Sequence, residues 1–254
     1  MHYTDVLLIA HRGESYDAPE NTLAAINLAW ERNADAVEID IRISKDDQIV
    51  VIHDDSTVRF GGNTKKIQEQ TLQELKSFDV GIHKGDTWAH ETIPTLEEVL
   101  DTIPAGKLLF VEIKCGIEVL RPLKKILFKR PLLHEKVVFI GLELETMQII
   151  KQEFPRHEVC WVYEMEIAEE KNTWVPRLNE LITKAQKAGL DGLDVLACET
   201  VNDLFVQKIH SAGMKLYVWT VNDAAEAKRL CEAGVDGITT DRAMWLKDIL
   251  RSFP

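Results

Sequence analysis

Four apolar runs in the first half of the chain carry or end in side chains suited to acid–base or metal chemistry. Asp5-Val-Leu-Leu-Ile-Ala leads into His11-Arg12-Gly13. Ala36-Val-Glu38-Ile-Asp40-Ile is followed by Ile49-Val-Val-Ile-His53-Asp54, and Leu108-Leu-Phe-Val runs into Glu112-Ile-Lys114. Charged groups are costly to bury unless they are paired or bind a metal, so an apolar strand that closes on Glu, Asp or His points to a site. Glu38 and Asp40 are two residues apart, as are Glu112 and Lys114. On a strand such residues share a face. Two oxygen ligands from one strand and one from another suit a hard divalent cation such as Mg²⁺ or Ca²⁺. His11 and His53 then remain for proton transfer.

These groups need a scaffold that brings strand ends together. Strand-like and helix-like stretches alternate to the end of the chain. After the first strand, Pro19-Glu20-Asn21-Thr22 opens a helix from Leu23 to Arg32, and Thr95 caps a helix from Leu96 to Asp101. Strands follow at 137–140 and 158–162, separated by a helix over 143–154. A long loop then precedes a helix from about Val175 to Lys187. Strands at 189–195, 214–219 and 235–240 close the series, with helices near 201–211, 223–233 and 242–251. About eight such βα units predict an α/β fold, a closed (β/α)₈ TIM barrel. An open doubly wound sheet would carry a glycine-rich fingerprint after its first strand, and none is present. The expected organisation is one domain over 1–254, with a small insertion after the second strand at about 54–94. Only Gln70 to Lys76 in that insertion has a helical pattern. A connection of this length in a compact domain is usually functional, and here it would lie over the catalytic face.

Composition narrows the partners. The 254 residues are 45% hydrophobic and 28% charged, with a net charge of −12. An acidic chain without clustered Lys and Arg is no phosphate-backbone binder, which argues against nucleic acid. It still leaves room for a small phosphorylated substrate held locally. Cys115, Cys160, Cys198 and Cys231 are scattered and form no CxxC pair, which predicts buried free thiols. No segment reaches membrane-spanning length and no leader pattern precedes the first strand, so the expectation is a cytoplasmic protein without stable membrane insertion.

Taken together, His11-Arg12-Gly13, Pro19-Glu20-Asn21-Thr22, Glu38-Ile-Asp40, His53-Asp54 and Glu112-Ile-Lys114 resemble the glycerophosphodiester phosphodiesterase family. The likeness continues through Ile93-Pro-Thr95-Leu-Glu-Glu98, Trp219-Thr-Val-Asn222-Asp223 and Gly234-Val-Asp-Gly-Ile-Thr-Thr-Asp241. The resemblance implies a metal-dependent barrel that hydrolyses glycerophosphodiesters to glycerol 3-phosphate and a free alcohol. By position, Glu38, Asp40 and Glu112 match metal ligands for one divalent cation, Mg²⁺ or Ca²⁺, with Mn²⁺ also compatible. His11 and His53 match the general acid and base pair. Arg12 and Lys114 match phosphate-holding groups, and Trp219 would line the glycerol side. In the family's proposed route the glycerol 2-hydroxyl attacks first, giving a cyclic phosphate that water opens. Glu20 is a further candidate contact at the metal site, and Trp88 and His90 are outlying candidates for reaching substrate. The remaining histidines read as surface or packing residues.

Two other functions fit the same barrel. A lysophospholipase D-like enzyme would need an apolar groove, built from residues 54–94, for an acyl chain. A non-catalytic binding barrel would have lost a histidine or a metal ligand, and none is lost. The chain departs from the family pattern at Gly141-Leu142, where Ser-Phe is usual; this predicts a wider pocket wall there.

Overall fold

The computed structural model describes residues 6–61, 64–164, 166–168, 173–175 and 178–252. Its strands are β1 (Leu7–Ala10), β2 (Ala36–Ile43), β3 (Ile49–Val51), β4 (Leu108–Ile113), β5 (Val137–Gly141), β6 (Glu158–Tyr163), β7 (Glu166–Ala168), β8 (Thr173–Val175), β9 (Gly192–Leu196), β10 (Lys215–Trp219) and β11 (Gly237–Thr240). The α-helices are α1 (Leu23–Glu31), α2 (Leu72–Leu75), α3 (Leu96–Leu100), α4 (Leu120–Phe128), α5 (Leu144–Glu153), α6 (Leu178–Lys187), α7 (Asp203–Ser211), α8 (Ala224–Ala233) and α9 (Ala243–Ser252). The sheet order β1-β11-β10-β9-β6-β5-β4-β2 closes through a further β1–β2 pairing. Each of these neighbours is parallel, so the eight staves form the expected closed barrel with helices outside.

Strands covered on both faces read as near-continuous apolar runs, which is why they were visible in the sequence. Val37, Ile39 and Ile41 of β2 and Leu109, Val111 and Ile113 of β4 face outward into the large core beneath the helices. The alternate residues turn into the barrel. Its lower interior is filled by Ile9, Ala36, Phe110, Val138, Ile140, Cys160, Val162 and Tyr217. Phe110 and Tyr217 meet edge to face at 4.9 Å. Tyr217 also donates to Glu158 Oε1 at 2.6 Å, giving the buried hydroxyl its partner.

The helix starts follow their capping residues. Thr22 Oγ1 accepts from Ala25 N at 3.2 Å, and Thr95 and Glu98 form a reciprocal capping box. The helix expected to begin near Val175 instead begins at Leu178, and the long loop before it contains the antiparallel β7–β8 hairpin. Residues 176–177 lie outside the described set. The four cysteines are free, as expected, but only Cys160 and Cys231 are buried; Cys115 and Cys198 are half-buried.

β3 runs antiparallel to the far end of β2, pairing Val51 with Ile41. Among its described residues, the segment that follows has the four-residue α2 and several 3₁₀ turns as its helical elements. It folds Ile67, Leu75, Val80 and Ile93 against Val50 and Ile52 in a small core of its own. Arg59 and Lys84 tie it to the β1–α1 loop, Arg59 through Glu20 and Lys84 through the carbonyls of Ser15 and Tyr16. The segment therefore does border the barrel mouth. Among the described residues, no helix is long and apolar enough to cross a membrane.

The β1–α1 loop turns sharply: Arg12 has φ +56° and Gly13 φ +83°. A Cβ on Gly13 would meet the Ala25 carbonyl carbon at 2.5 Å, so both conformation and space demand glycine. Gly13→Ala is expected to lower stability by about 2 kcal/mol or more, read as a drop in Tm. An unchanged melt would contradict this account of the turn.

Candidate active site

Glu38 and Asp40 leave β2 on its inward face, and the β2–β4 register sets Asp40 directly beside Glu112. One oxygen from each of the three carboxylates lies within 4.8 Å of the others. Glu38 and Asp40 are almost fully buried. Glu38 Oε1 makes no hydrogen bond among the described residues, and the Lys114 ammonium is what faces Asp40 Oδ1 and Glu112 Oε1. Buried polar atoms are nearly always satisfied, so three converging carboxylates with one unpartnered oxygen and a single ammonium shared by two others fit a bound cation. Oxygen-only donors suit a hard divalent ion.

The other oxygens are held in place. Arg12 N donates to Glu38 Oε2 at 3.0 Å, a contact made by the left-handed Arg12 backbone. Asn21, also in the left-handed region, donates through Nδ2 to Asp40 Oδ2 at 2.8 Å and accepts from Asp40 N at 3.1 Å. Arg12 Nε is 3.2 Å from Asp40 Oδ2. On the converging side, Lys114 Nζ is 2.7 Å from Glu112 Oε1 and 3.4 Å from Asp40 Oδ1.

Burial, and then the charges of Asp40 and Glu112, push the Glu38 carboxyl well above the usual carboxylate range. Burial and Asp40 also raise Glu112. Asp40 is the exception: burial raises it most, but Arg12, Lys114, His53 and the Asn21 hydrogen bond together bring it below its ordinary value. The three carboxylates are therefore inequivalent, with Asp40 carrying the firmest charge.

Each histidine is oriented by a carboxylate. His11 Nδ1 lies 2.6 Å from Asp241 Oδ1, and Asp241 in turn accepts from Asn222 Nδ2 at 2.6 Å and from Ser15 Oγ at 3.2 Å. His53 Nδ1 lies 3.0 Å from Asp54 Oδ1. Arg42 fixes the backbone nearby by donating to the carbonyls of His53 and Lys114. With the proton on Nδ1 in each ring, Nε2 is the nitrogen left for exchange.

A cavity of about 290 Å³ opens over this cluster. His11, Arg12, Glu38, His53, Glu112, Lys114 and Trp219 all line it, together with Asp194, Glu164 and Thr239. Thus the eight principal candidates from the sequence gather at one mouth: seven on the cavity wall, and Asp40 just behind it. Glu20 does not join the acidic cluster; its Oε1 is taken by Arg12 at 2.9 Å and Arg59 at 2.8 Å. Trp88 and His90 do not line the cavity. Of the Gly141-Leu142 pair, Leu142 faces the cavity, whereas a Cβ on Gly141 would point at Met147 Sδ, 2.6 Å away, so the pocket wall there is set by residue 142. Strand alternation explains this, since residues 140 and 142 share the inward face.

Asn21, legible in the sequence only as part of the helix start, also holds Asp40, while Asn222, Asp241 and Asp194 stand at the site without having been singled out by sequence. Asp194 shows the same signal as Glu38: a carboxylate within an apolar strand.

The fold and site define a class, parallel (β/α)₈ enzymes with an acidic centre at the carboxyl end of the barrel. The family model for the glycerophosphoryl diester phosphodiesterase family matches residues 11–244, and the chain belongs to that family. It is 32% identical over 249 residues to a glycerophosphodiester phosphodiesterase of Caldanaerobacter subterraneus subsp. tengcongensis, covering 96% of this chain and 98% of the relative. A phosphodiesterase of Oleispira antarctica, solved in complex with the product sn-glycerol-3-phosphate, superposes with a TM-score of 0.84 at 28% identity, over 97% of both chains. The Thermotoga maritima glycerophosphodiester phosphodiesterase gives 0.75 at 28% identity, over 96% of this chain and 98% of that one.

Glu20 supplies a pH test. Burial raises its pKa, but hydrogen bonds and charges from Arg59 and Arg12 prevail and lower it from 4.5 to about 2. A depressed carboxyl stabilises the fold fully above its unfolded value and loses that contribution as pH falls towards the folded one. Glu20→Gln should therefore destabilise at neutral pH by at most about 3 kcal/mol, with the gap to wild type closing between about pH 4.5 and 2. Denaturant melts across that range check it; a gap independent of pH would contradict the assignment.

Proposed function

We propose that the whole chain, acting as one domain, hydrolyses small glycerophosphodiesters to glycerol 3-phosphate and an alcohol. The observation that carries this reading is the convergence of three buried, incompletely neutralised carboxylates beside two carboxylate-oriented histidines and two cations at one cavity. The family membership and the product named in the Oleispira antarctica complex support the substrate class.

A phosphodiester anion repels an incoming nucleophile, so positive charge must surround its nonbridging oxygens. Arg12 can offer paired donors to them, while Lys114 acts as a compact charge. Their pKa values are raised: burial alone would lower each, but Asp40 and the neighbouring carboxylates more than compensate. Both therefore stay cationic. A divalent cation held by Glu38, Asp40 and Glu112 would supply further Lewis-acid polarisation. One of His11 and His53 takes the proton from the attacking oxygen as its bond to phosphorus forms. The other donates a proton to the alcohol oxygen as its bond to phosphorus breaks. Asp241 and Asp54 stabilise whichever ring is protonated. Trp219 forms an apolar wall against the carbon skeleton. Ile67, Leu75, Val80 and Ile93 of the insertion turn into their own core rather than toward the cavity, which favours small polar diesters over an acyl-bearing lysophospholipid.

Glycerophosphocholine should be cleaved and lysophosphatidylcholine should be a poor substrate. EDTA should abolish turnover, and Mg²⁺, Ca²⁺ or Mn²⁺ should restore it. Activity that survives complete chelation would contradict metal dependence. His11→Ala and His53→Ala should each lose on the order of 10²–10⁴ in kcat. Wild-type rates in either would remove that ring from the mechanism.

A further inference from the structure

Asp194 is a buried carboxylate that the mechanism above leaves unused. It sits in β9 with Leu193 and Val195 packed outward, so its own side chain turns into the barrel. Its neighbours across the strands are Val162 of β6 and Tyr217 of β10. It is 2% exposed, its Oδ1 makes no hydrogen bond among the described residues, and it lines the cavity. No ion pair reaches it among those residues. Glu112 adds repulsion from across the cavity instead of relief, and burial with that repulsion holds the Asp194 carboxyl well above its ordinary range.

Such a group weakens the free protein. An apolar residue would pack better with Ile140, Val162 and Trp219, which share this wall. A buried polar atom left without a partner in the free protein, but open to a binding cavity, is explained when the ligand brings the partner. Its place in the cavity says which part of the ligand that is. Arg12, Lys114 and the acidic cluster occupy the β1–β2–β4 side, where the phosphate belongs. Asp194 lies on β9, beside the Trp219 wall, and Trp219 Nε1 donates to the Asp194 carbonyl at 3.3 Å. In a glycerophosphodiester the hydroxyl next to the phosphate-bearing carbon stays near the phosphate, whereas the terminal hydroxyl extends away from it. A hydroxyl can both donate and accept, and can pair with a carboxyl group in either protonation state.

We propose that Asp194 is a specificity-determining residue that hydrogen-bonds the terminal hydroxyl of the glycerol moiety. This rests on the substrate class proposed above. The residue thus selects glycerol over diols of the same length that lack that hydroxyl, at the expense of stability in the free protein.

The test compares binding of glycerol 3-phosphate with that of 2-hydroxypropyl phosphate, which lacks only the terminal hydroxyl. Calorimetry is run on the wild type, Asp194→Asn and Asp194→Leu, with a thermal melt of each. Wild type should prefer glycerol 3-phosphate by on the order of 100-fold. Asp194→Asn, which keeps an acceptor and donors, should retain part of that preference, and Asp194→Leu should lose it. Neither variant should melt below wild type. Unchanged discrimination in Asp194→Leu would overturn the assignment, as would a wild type indifferent to the hydroxyl. A lower Tm or failure to fold in both variants would make Asp194 a structural residue and overturn it too. Turnover of glycerophosphocholine is read in parallel. Wild type that discriminates in binding but hydrolyses nothing would sink the hydrolase reading and leave this one standing.

Discussion

Glu38, Asp40 and Glu112 are forced together at the mouth of the barrel, and most of what surrounds them exists to hold that arrangement. Two ionised carboxylates at such a range repel by about 4 kcal/mol at an effective dielectric of 20, before any cost of burial. A folded chain can keep three only by surrounding them with donors and cations. Arg12, Lys114 and Asn21 do this around Asp40, and the Arg12 amide does it for Glu38. Glu38 Oε1 is still left without a donor, and a single ammonium, Lys114, serves both Asp40 Oδ1 and Glu112 Oε1. The protein thus stabilises the cluster only partly, and the remainder is what a cation would complete.

The barrel makes this possible because its register is rigid. Parallel pairing of β2 with β4 sets Asp40 beside Glu112, and neither can move without shifting the core behind it. The β1–α1 loop supplies the counter-charges from a strained turn, in which Arg12 and Asn21 both adopt left-handed conformations. Such strain persists where surrounding contacts over-determine it. Here those contacts are Glu38, Asp40, Glu20 and, through Glu20, Arg59 of the insertion. The insertion is therefore part of the electrostatic frame as well as a rim.

The staves and the acidic cluster were legible in the sequence for one reason. Strands buried on both faces are apolar throughout, and a charge inside such a run stands out. His11, Glu38, Asp40, His53 and Glu112 all showed that signal. Asp194 showed it too, but it lacks a partner two residues away and falls in a strand already accounted for by packing. Asp241 and Asn222 carry no such mark, because their roles are long-range: Asp241 meets His11 across 230 residues of chain. The β7–β8 hairpin has no apolar run to betray it. Strand parity, which turns Gly141 toward α5 and Leu142 toward the cavity, could not be read from the dipeptide alone.

A cluster that is incompletely satisfied by the protein must gain stability when its missing partner arrives. Calorimetric titration of the metal-stripped chain with Mn²⁺ or Ca²⁺, paired with its thermal melt, tests this most directly. The account predicts a single site per chain and a rise in Tm with metal, both lost in Glu38→Gln. A wild type that binds no divalent cation, or whose melt ignores it, would contradict the claim that these three carboxylates form a metal centre.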